Sequence, residues 1–258
     1  MKPFDVHCHL YDESFNADRV KVIEKARKVL SGIVVVGEGP KTNRKVLTLC
    51  KNYSKFLFPG LAIHPDHVWK LSDKEITNEL KFISEQKNLV CIGECGLDYK
   101  WAPGENSEES KERQKAVFIK QIELARKLDL PLNVHSRRAT SDVVKILKEN
   151  RAKKVILHGF VTTPEEARKA TRLGYKITIG TTLLWKDNNR HLIYYLENFP
   201  LSTFVLETDS PVLAPIRGMR NEPSNISLVV KEIAKIKKIP EDKIIEITNK
   251  NVRELFKL

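Results

Sequence analysis

Eight times along the chain a short run of apolar, often β-branched residues is followed by a longer stretch whose apolar positions recur at helical spacing. Alternation of this kind, at a repeat of ~30 residues, reads as successive βαβ units and hence as a parallel sheet covered by helices. The expected strands are residues 4–9, 33–36, 57–63, 90–94, 131–135, 154–158, 175–179 and 203–207. The expected helices are 19–30, 43–51, 73–86, 111–128, 140–149, 163–173, 191–198 and 226–237, with a last one over 242–256. Ser72-Asp73-Lys74-Glu75 and Thr163-Pro164-Glu165-Glu166 carry helix-start patterns, and Gly174 falls where a left-handed cap would follow the sixth helix. Residues 101–110, with Pro103, Gly104 and three Glu, read as a loop over one mouth of the fold. Eight such units close into a ring. An open doubly wound sheet is the competing arrangement, but no Gly-rich loop of Rossmann or P-loop spacing supports it. The expected fold is α/β, a single (β/α)8 TIM barrel with a C-terminal extra helix, spanning residues 1–258 as one domain.

A chain of 258 residues buries enough apolar surface to fold without a structural metal, so any metal it binds is expected to be functional. The apolar runs, such as 33–36, are far shorter than the ~20 residues of a membrane span. Met1-Lys2-Pro3-Phe4-Asp5 has no apolar h-region, so no secretory signal is expected. The four cysteines, Cys8, Cys50, Cys91 and Cys95, form no C-x-x-C pair and read as reduced, buried thiols of a cytoplasmic protein. Lys and Arg exceed Asp and Glu by 12, a balance that suits a polyanionic partner such as nucleic acid. Lys-rich helix faces such as 231–238 supply part of that excess and by themselves mean only a solvated surface.

Barrel enzymes carry their active residues at the C-terminal ends of the strands. Here those ends are strongly biased. The first expected strand closes on His7-Cys8-His9, the third just before His64, the fourth on Glu94, the fifth on His135, the sixth on His158, and the eighth on Glu207-Thr208-Asp209. Side chains alternate faces along a strand, so His7 and His9 share one face and Cys8 takes the other. By the same parity Asp5 is expected one layer deeper, and Glu207 shares a face with Asp209 as a partner for a ligating imidazole. A lone His at a strand end is more often a hydrogen-bonded core residue, and a lone H-x-H is more often incidental. The joint pattern over five strand ends carries the reading. Mixed His and carboxylate donors in this number exceed what one closed, Cys-rich structural ion uses. They divide into two sites: His7, His9, Glu94 and Asp209 for the first cation, and Glu94, His135 and His158 for the second, with Glu94 bridging. Two ions ~3.5–4 Å apart can activate a water and stabilise both attacking and leaving oxygens.

The blocks Asp5-Val6-His7-Cys8-His9, Gly93-Glu94-Cys95-Gly96-Leu97-Asp98-Tyr99, Val134-His135-Ser136-Arg137 and Leu206-Glu207-Thr208-Asp209-Ser210-Pro211 resemble those of the TatD-related deoxyribonucleases, within the amidohydrolase superfamily. Ala62-Ile63-His64-Pro65 and the 217–223 stretch resemble that family too, so the likeness runs from residue 5 to Phe256 in order. The resemblance implies metal-dependent hydrolysis of DNA phosphodiester bonds, with 3′-5′ exonuclease action in some members. It implies His7, His9, Glu94, His135, His158 and Asp209 as metal ligands, with Glu94 standing where many superfamily members use a carboxylated lysine. Asp209 and Glu94 are the implied catalytic residues, Asp209 accepting the proton of the attacking water. His64, Arg137 and Arg217 are the implied phosphate contacts. Leu157-His158-Gly159-Phe160-Val161 lacks the usual small polar residues after the aromatic, and 177–186 matches only loosely; both departures bear on substrate preference.

Mg²⁺, Mn²⁺ and Zn²⁺ all suit such a donor set. DNA is the expected substrate, with no membrane partner, and the chain is expected to be a monomer. Two other functions compete: a superfamily hydrolase of an amide, ester or lactone, and a non-catalytic nucleic-acid-binding protein that keeps its metal. His67 and His191 have no supporting context and read as ordinary polar positions.

Overall fold

The computed structural model describes residues 1–100, 107–187 and 189–258. Its strands are β1 (Phe4–Cys8), β2 (Gly32–Val36), β3 (Leu57–Leu61), β4 (Cys91–Asp98), β5 (Leu132–Arg137), β6 (Val155–Leu157), β7 (Lys176–Ile179) and β8 (Phe204–Leu206). They form one eight-stranded sheet in the order β1 to β8, every neighbouring pair parallel. The chain just after β8 returns to β1: the Asp209 N–H donates to the His7 carbonyl at 3.0 Å and the His9 N–H to the Ser210 carbonyl at 2.7 Å. The fold is therefore a (β/α)8 barrel, and its closing hydrogen bonds lie among the expected site residues.

The helices are α1 (Arg19–Val29), α2 (Pro40–Asn52), α3 (Asp73–Ser84), α4 (Glu108–Leu128), α5 (Thr140–Glu149), α6 (Pro164–Arg172), α7 (Arg190–Asn198), α8 (Ile226–Lys237) and α9 (Glu241–Phe256). Ser72 and Glu75 exchange the reciprocal bonds of a capping box at the start of α3. The Thr163 side chain accepts the Glu166 N–H at the start of α6, and Gly174 follows that helix at φ +81°. Among the described residues no helix is long and apolar enough to cross a membrane.

Two apolar layers follow from strand alternation. Ile33, Val35, Leu57, Leu61, Val134, Leu157 and Ile177 pack outward against the helices. Phe4, Val6, Val34, Val36, Ile156 and Val205 form an inner cluster, and Val252, Leu255 and Phe256 of α9 join it. The last helix thus plugs the N-terminal mouth of the barrel, with the Phe4 and Phe256 ring centroids 6.4 Å apart.

The element order agrees with the sequence reading; several boundaries do not. β4 runs to Asp98 rather than stopping at residue 94, because it continues through a slip of register between Gly93 and Cys95. α2 begins at Pro40, a residue well placed in a first turn, three positions before the expected start. Of the loop expected over 101–110, residues 101–106 lie outside the described residues. Ser107 caps α4, which starts at Glu108 rather than 111.

Candidate metal centre

Two register slips shape the rim. In β1, Asp5 pairs with Ile33 but Cys8 pairs with Val35, so one extra residue is accommodated between them. The strict alternation assumed for residues 5–9 fails there: Val6 joins the inner cluster beside His7, and Asp5 does not form the expected deeper layer. The Asp5 carboxylate instead accepts the backbone N–H of His7 at 3.1 Å and of Thr208 at 3.0 Å. Burial pushes its carboxyl up to about 8 despite these bonds and that of the Thr208 hydroxyl. In β4, Glu94 is the extra residue, between Gly93 paired to Asn133 and Cys95 paired to Val134. Bulges re-aim side chains and cluster beside active sites. Gly96 makes the close β4–β5 approach possible: it sits at φ +137°, and a Cβ there would lie 2.1 Å from the His135 carbonyl oxygen.

Glu94, thus aimed, stands at the middle of the cluster. Its Oε2 lies 3.3 Å from His7 Nε2 and 3.5 Å from His9 Nε2. Its Oε1 lies 2.8 Å from His135 Nδ1 and 3.9 Å from His158 Nε2. Asp209 spans the other side, Oδ1 at 3.3 Å from His9 Nε2 and 3.6 Å from His7 Nε2, and Oδ2 at 3.7 Å from His158 Nε2. Asp209 holds a left-handed backbone, φ +56°, which aspartate tolerates better than most residues. All six expected donors therefore meet in one buried space.

Partners behind the imidazoles select their donor atoms. His7 Nδ1 lies 2.9 Å from Asn133 Oδ1, whose own amide is spent on the Val6 carbonyl, so Nδ1 carries the proton and Nε2 faces Glu94. His158 Nδ1 lies 2.6 Å from Glu207 Oε2, fixing the same tautomer. His135 is reversed: Nε2 lies 2.9 Å from Asp98 Oδ2, and Nδ1 faces Glu94. His64 differs. Its Nδ1 accepts the Asp66 N–H at 3.2 Å, which leaves the proton on Nε2, 3.5 Å from Glu94 Oε1. His64 thus presents a donor rather than a lone pair. Asp98, Asn133, Tyr11 and Glu38 were missed by sequence reasoning; Asp98 alone carried a signal, as the acid two residues after Gly96 in a motif block.

Among the described residues no lysine or arginine is buried, while Glu94, Asp98, Glu207 and Asp209 all are. An imidazole pairs with each of them, and the half-exposed Arg137 also approaches Asp98 at 3.7 Å. Burial works against protonated His158, yet the charges of Glu207 and Asp209 and the Glu207 hydrogen bond raise it to about 10. Burial opposes His9 likewise, and the Asp209 bond with the Glu38 and Glu94 charges raises it to about 9. Conversely, against burial, the His64 and His7 charges and the His135 bond hold the Glu94 carboxyl well below its ordinary value. Asp209 is also lowered, against burial, chiefly by the charge of His158. Such a centre is short of positive charge, and its inward lone pairs are those of divalent-cation ligands, so the residues present fit a metal.

Beside the cluster opens a cavity of about 450 Å³, walled by Phe160, Val161, Trp185, His191 and Leu213 and reaching His135, His158 and Asp209. His191 is among its lining residues. Arg137 lines this cavity, half exposed, with Nη1 at 3.7 Å from Asp98 Oδ2. Arg217 does not line it. Its guanidinium pairs with Asp187 at 2.6 and 3.0 Å and lies 4.6 Å over the Trp185 ring, which is itself a wall residue.

A (β/α)8 barrel whose C-terminal strand ends gather imidazoles and carboxylates around a shared acid is built as a metal-dependent hydrolase. The chain belongs to the TatD-related DNase family, whose profile matches residues 4–257. It is 37% identical to a human protein named deoxyribonuclease TATDN3, over 98% of this chain and 93% of that one. It is 34% identical to the uncharacterized metal-dependent hydrolase YabD of Bacillus subtilis, over 99% of each. The crystal structure of YJJV, a TatD homolog from Escherichia coli, superposes with a TM-score of 0.89 at 28% identity, covering 99% of this chain and 98% of that one.

Proposed function

We propose that this chain is a deoxyribonuclease that hydrolyses DNA phosphodiester bonds with two divalent cations, acting as a monomeric, single-domain enzyme. One observation carries the reading: the two oxygens of Glu94 face different imidazole sets, His7 with His9 and His135 with His158. That is the disposition of a bridging carboxylate. Nε2 of His7 and His9 with Asp209 Oδ1 would hold the first cation; Nδ1 of His135 and Nε2 of His158 would hold the second. Asp209 Oδ2, at 3.7 Å from His158 Nε2, brings its carboxylate toward the second position as well. All donors come from one chain, so the centre requires no second copy.

Bound there, two such cations supply a water acidified toward neutral pH and positive charge for the phosphoryl oxygens. The remaining work falls to the protein. Asp209, kept ionised by the surrounding imidazoles, takes the proton of the attacking water on a carboxylate oxygen. His64 offers its Nε2–H to a phosphoryl oxygen. Arg137 lines the cavity half exposed, where its planar guanidinium can grip a phosphate bidentately. Glu207, Asn133 and Asp98 keep His158, His7 and His135 in their ligating tautomers. The cavity of about 450 Å³, walled by Trp185 and Phe160, accepts the nucleoside next to the scissile bond. A net charge of +12 over the whole chain favours a polyanionic partner.

The test is cleavage of oligonucleotides labelled at either end, across Mg²⁺, Mn²⁺ and Zn²⁺ with a chelator control. Metal-dependent shortening from the 3′ end is expected. Cleavage that survives the chelator, or that Asp209→Ala leaves undiminished, would remove the proposal.

A further inference from the structure

Among the expected ligands, His9 is tied back through a phenol. Tyr11, buried in the segment after β1, has its oxygen 3.1 Å from His9 Nδ1, and its O–H donates to Oε2 of Glu38. A phenol has one proton to give. Because that proton goes to Glu38, the phenol oxygen accepts from His9, and the proton of the His9–Tyr11 contact belongs to Nδ1. Nε2 is left with its lone pair toward the centre, 3.3 Å from Asp209 Oδ1 and 3.5 Å from Glu94 Oε2.

Glu38 lies on the β2–α2 loop, which supplies none of the expected donors. That loop is braced on both sides: the Glu38 N–H donates to the Thr42 hydroxyl at 2.9 Å, and its carbonyl accepts the His64 N–H at 2.9 Å. The carboxylate is directed inward, so that ligand atoms of His9, Glu38 and Glu94 all lie within 4.8 Å of one another. Glu38 and Tyr11 fall in none of the motif blocks read from the sequence. Behind His135 and His158 stand different carboxylates, Asp98 and Glu207.

We propose that Tyr11 and Glu38 form a positioning relay behind His9, which fixes its ligating nitrogen and adds a negative charge at the first cation position alone. The proposal rests on the two-cation reading above. Outer carboxylates of this kind are worth roughly 10–100-fold in metal affinity.

The test is stepwise Mn²⁺ binding to the full chain, followed by calorimetry and electron paramagnetic resonance. It is paired with ¹⁵N NMR of the histidine rings in the metal-free protein at pH 10, where the His9 ring carries a single proton. The expected wild-type result is two Mn²⁺ with distinct affinities and His9 protonated at Nδ1. Tyr11→Phe, nearly isosteric, and Glu38→Gln should each weaken one Mn²⁺ step about 10–100-fold and leave the other within about twofold. Tyr11→Phe should also redistribute the His9 tautomers, and Glu38→Asp should recover part of the affinity. Wild-type affinities in both variants, or equal loss at both steps, would overturn the relay. A wild-type chain that takes up fewer than two Mn²⁺ refutes the two-cation reading instead, and the relay is then decided by whether Tyr11→Phe changes the His9 tautomer.

Discussion

His158 Nδ1 stands 2.6 Å from Glu207 Oε2, both side chains buried and each placed just past the end of a different strand, β6 and β8. Glu207 is itself held from behind, its Oε1 accepting the Thr178 hydroxyl at 2.7 Å and the Gly159 N–H at 3.1 Å. The carboxylate is therefore locked before any cation arrives, and its charge is directed at one imidazole. Glu207→Gln keeps the shape and removes the charge. Affinity for the second cation should fall about 10–100-fold, with cleavage at limiting metal falling alongside and recovering at saturating metal. Metal titration read by calorimetry checks it.

Glu94 and Asp209 should separate binding from proton transfer. Glu94→Ala removes the acid shared by both imidazole sets, so elemental analysis should find fewer than two ions per chain. Asp209→Asn keeps an oxygen donor in the left-handed turn but no longer a base of useful strength. Its turnover should drop about 10²–10⁴-fold with at least one ion retained. Retention of two ions by Glu94→Ala contradicts the bridging assignment.

The rim was legible in the sequence to the extent that strand ends could be read from apolar runs. His7, His9, His135, His158 and Asp209 end or immediately follow such runs, and a parallel barrel brings those ends together. What was not legible came from the two register slips. A bulge adds one residue without changing composition, so nothing in 90–98 distinguishes a strand ending at Glu94 from one that bulges there and continues to Asp98. The partnership of Asp98 with His135 follows from that continuation and was lost with it. Asp5 was misplaced for the same reason, since parity counted along the chain assumes an unbroken pleat. Tyr11 and Glu38 lie beyond strand ends, where no period links residue spacing to position.

Gly96 tests how much that β4 geometry matters. At φ +137°, with a Cβ falling 2.1 Å from the His135 carbonyl oxygen, alanine must both strain the backbone and push β5 away. Gly96→Ala should cost at least about 2 kcal/mol in urea unfolding. Any folded fraction should bind metal poorly, because Glu94 and His135 move apart. Gly174→Ala, also at positive φ but with open space around its Cβ, should cost less and leave metal binding intact.

The raised imidazoles set the pH behaviour of the metal-free protein. His158 at about 10 and His9 at about 9 bind protons more tightly folded than unfolded, where imidazole titrates near 6.5. Their contribution to stability is full below pH 6.5 and is lost as pH rises toward 9 and 10. Asp5, raised to about 8, acts in the same direction over the lower part of that window. With chelator present, the urea midpoint should therefore fall between pH 6.5 and 9.5. Metal must displace these protons, so its apparent affinity should rise over the same interval, with proton release visible as a dependence of binding enthalpy on buffer. A flat chelated midpoint contradicts the charge-deficient centre.

Arg137 and Arg217 were grouped by sequence as phosphate contacts, and their surroundings now divide them. Arg137 lines the cavity that reaches His135, with a contact of 3.7 Å to Asp98 as its nearest ion pair. A phosphate that recruits it gains a bidentate partner at little cost in broken contacts. Arg217 is already engaged twice by Asp187 and stacked on Trp185, so the same phosphate would have to compete with a carboxylate for it. Arg137→Ala should therefore raise KM for an oligonucleotide about tenfold, without loss of bound metal and with a shallower dependence of binding on salt. Arg217→Ala should change KM by less than about threefold, since an exposed ion pair is worth under about 1 kcal/mol. What effect it has should come through the Trp185 wall and vary with the terminal base rather than with salt. Equal effects from the two variants, or a larger one from Arg217, would place the phosphate on the other side of the cavity and move the scissile bond away from Arg137.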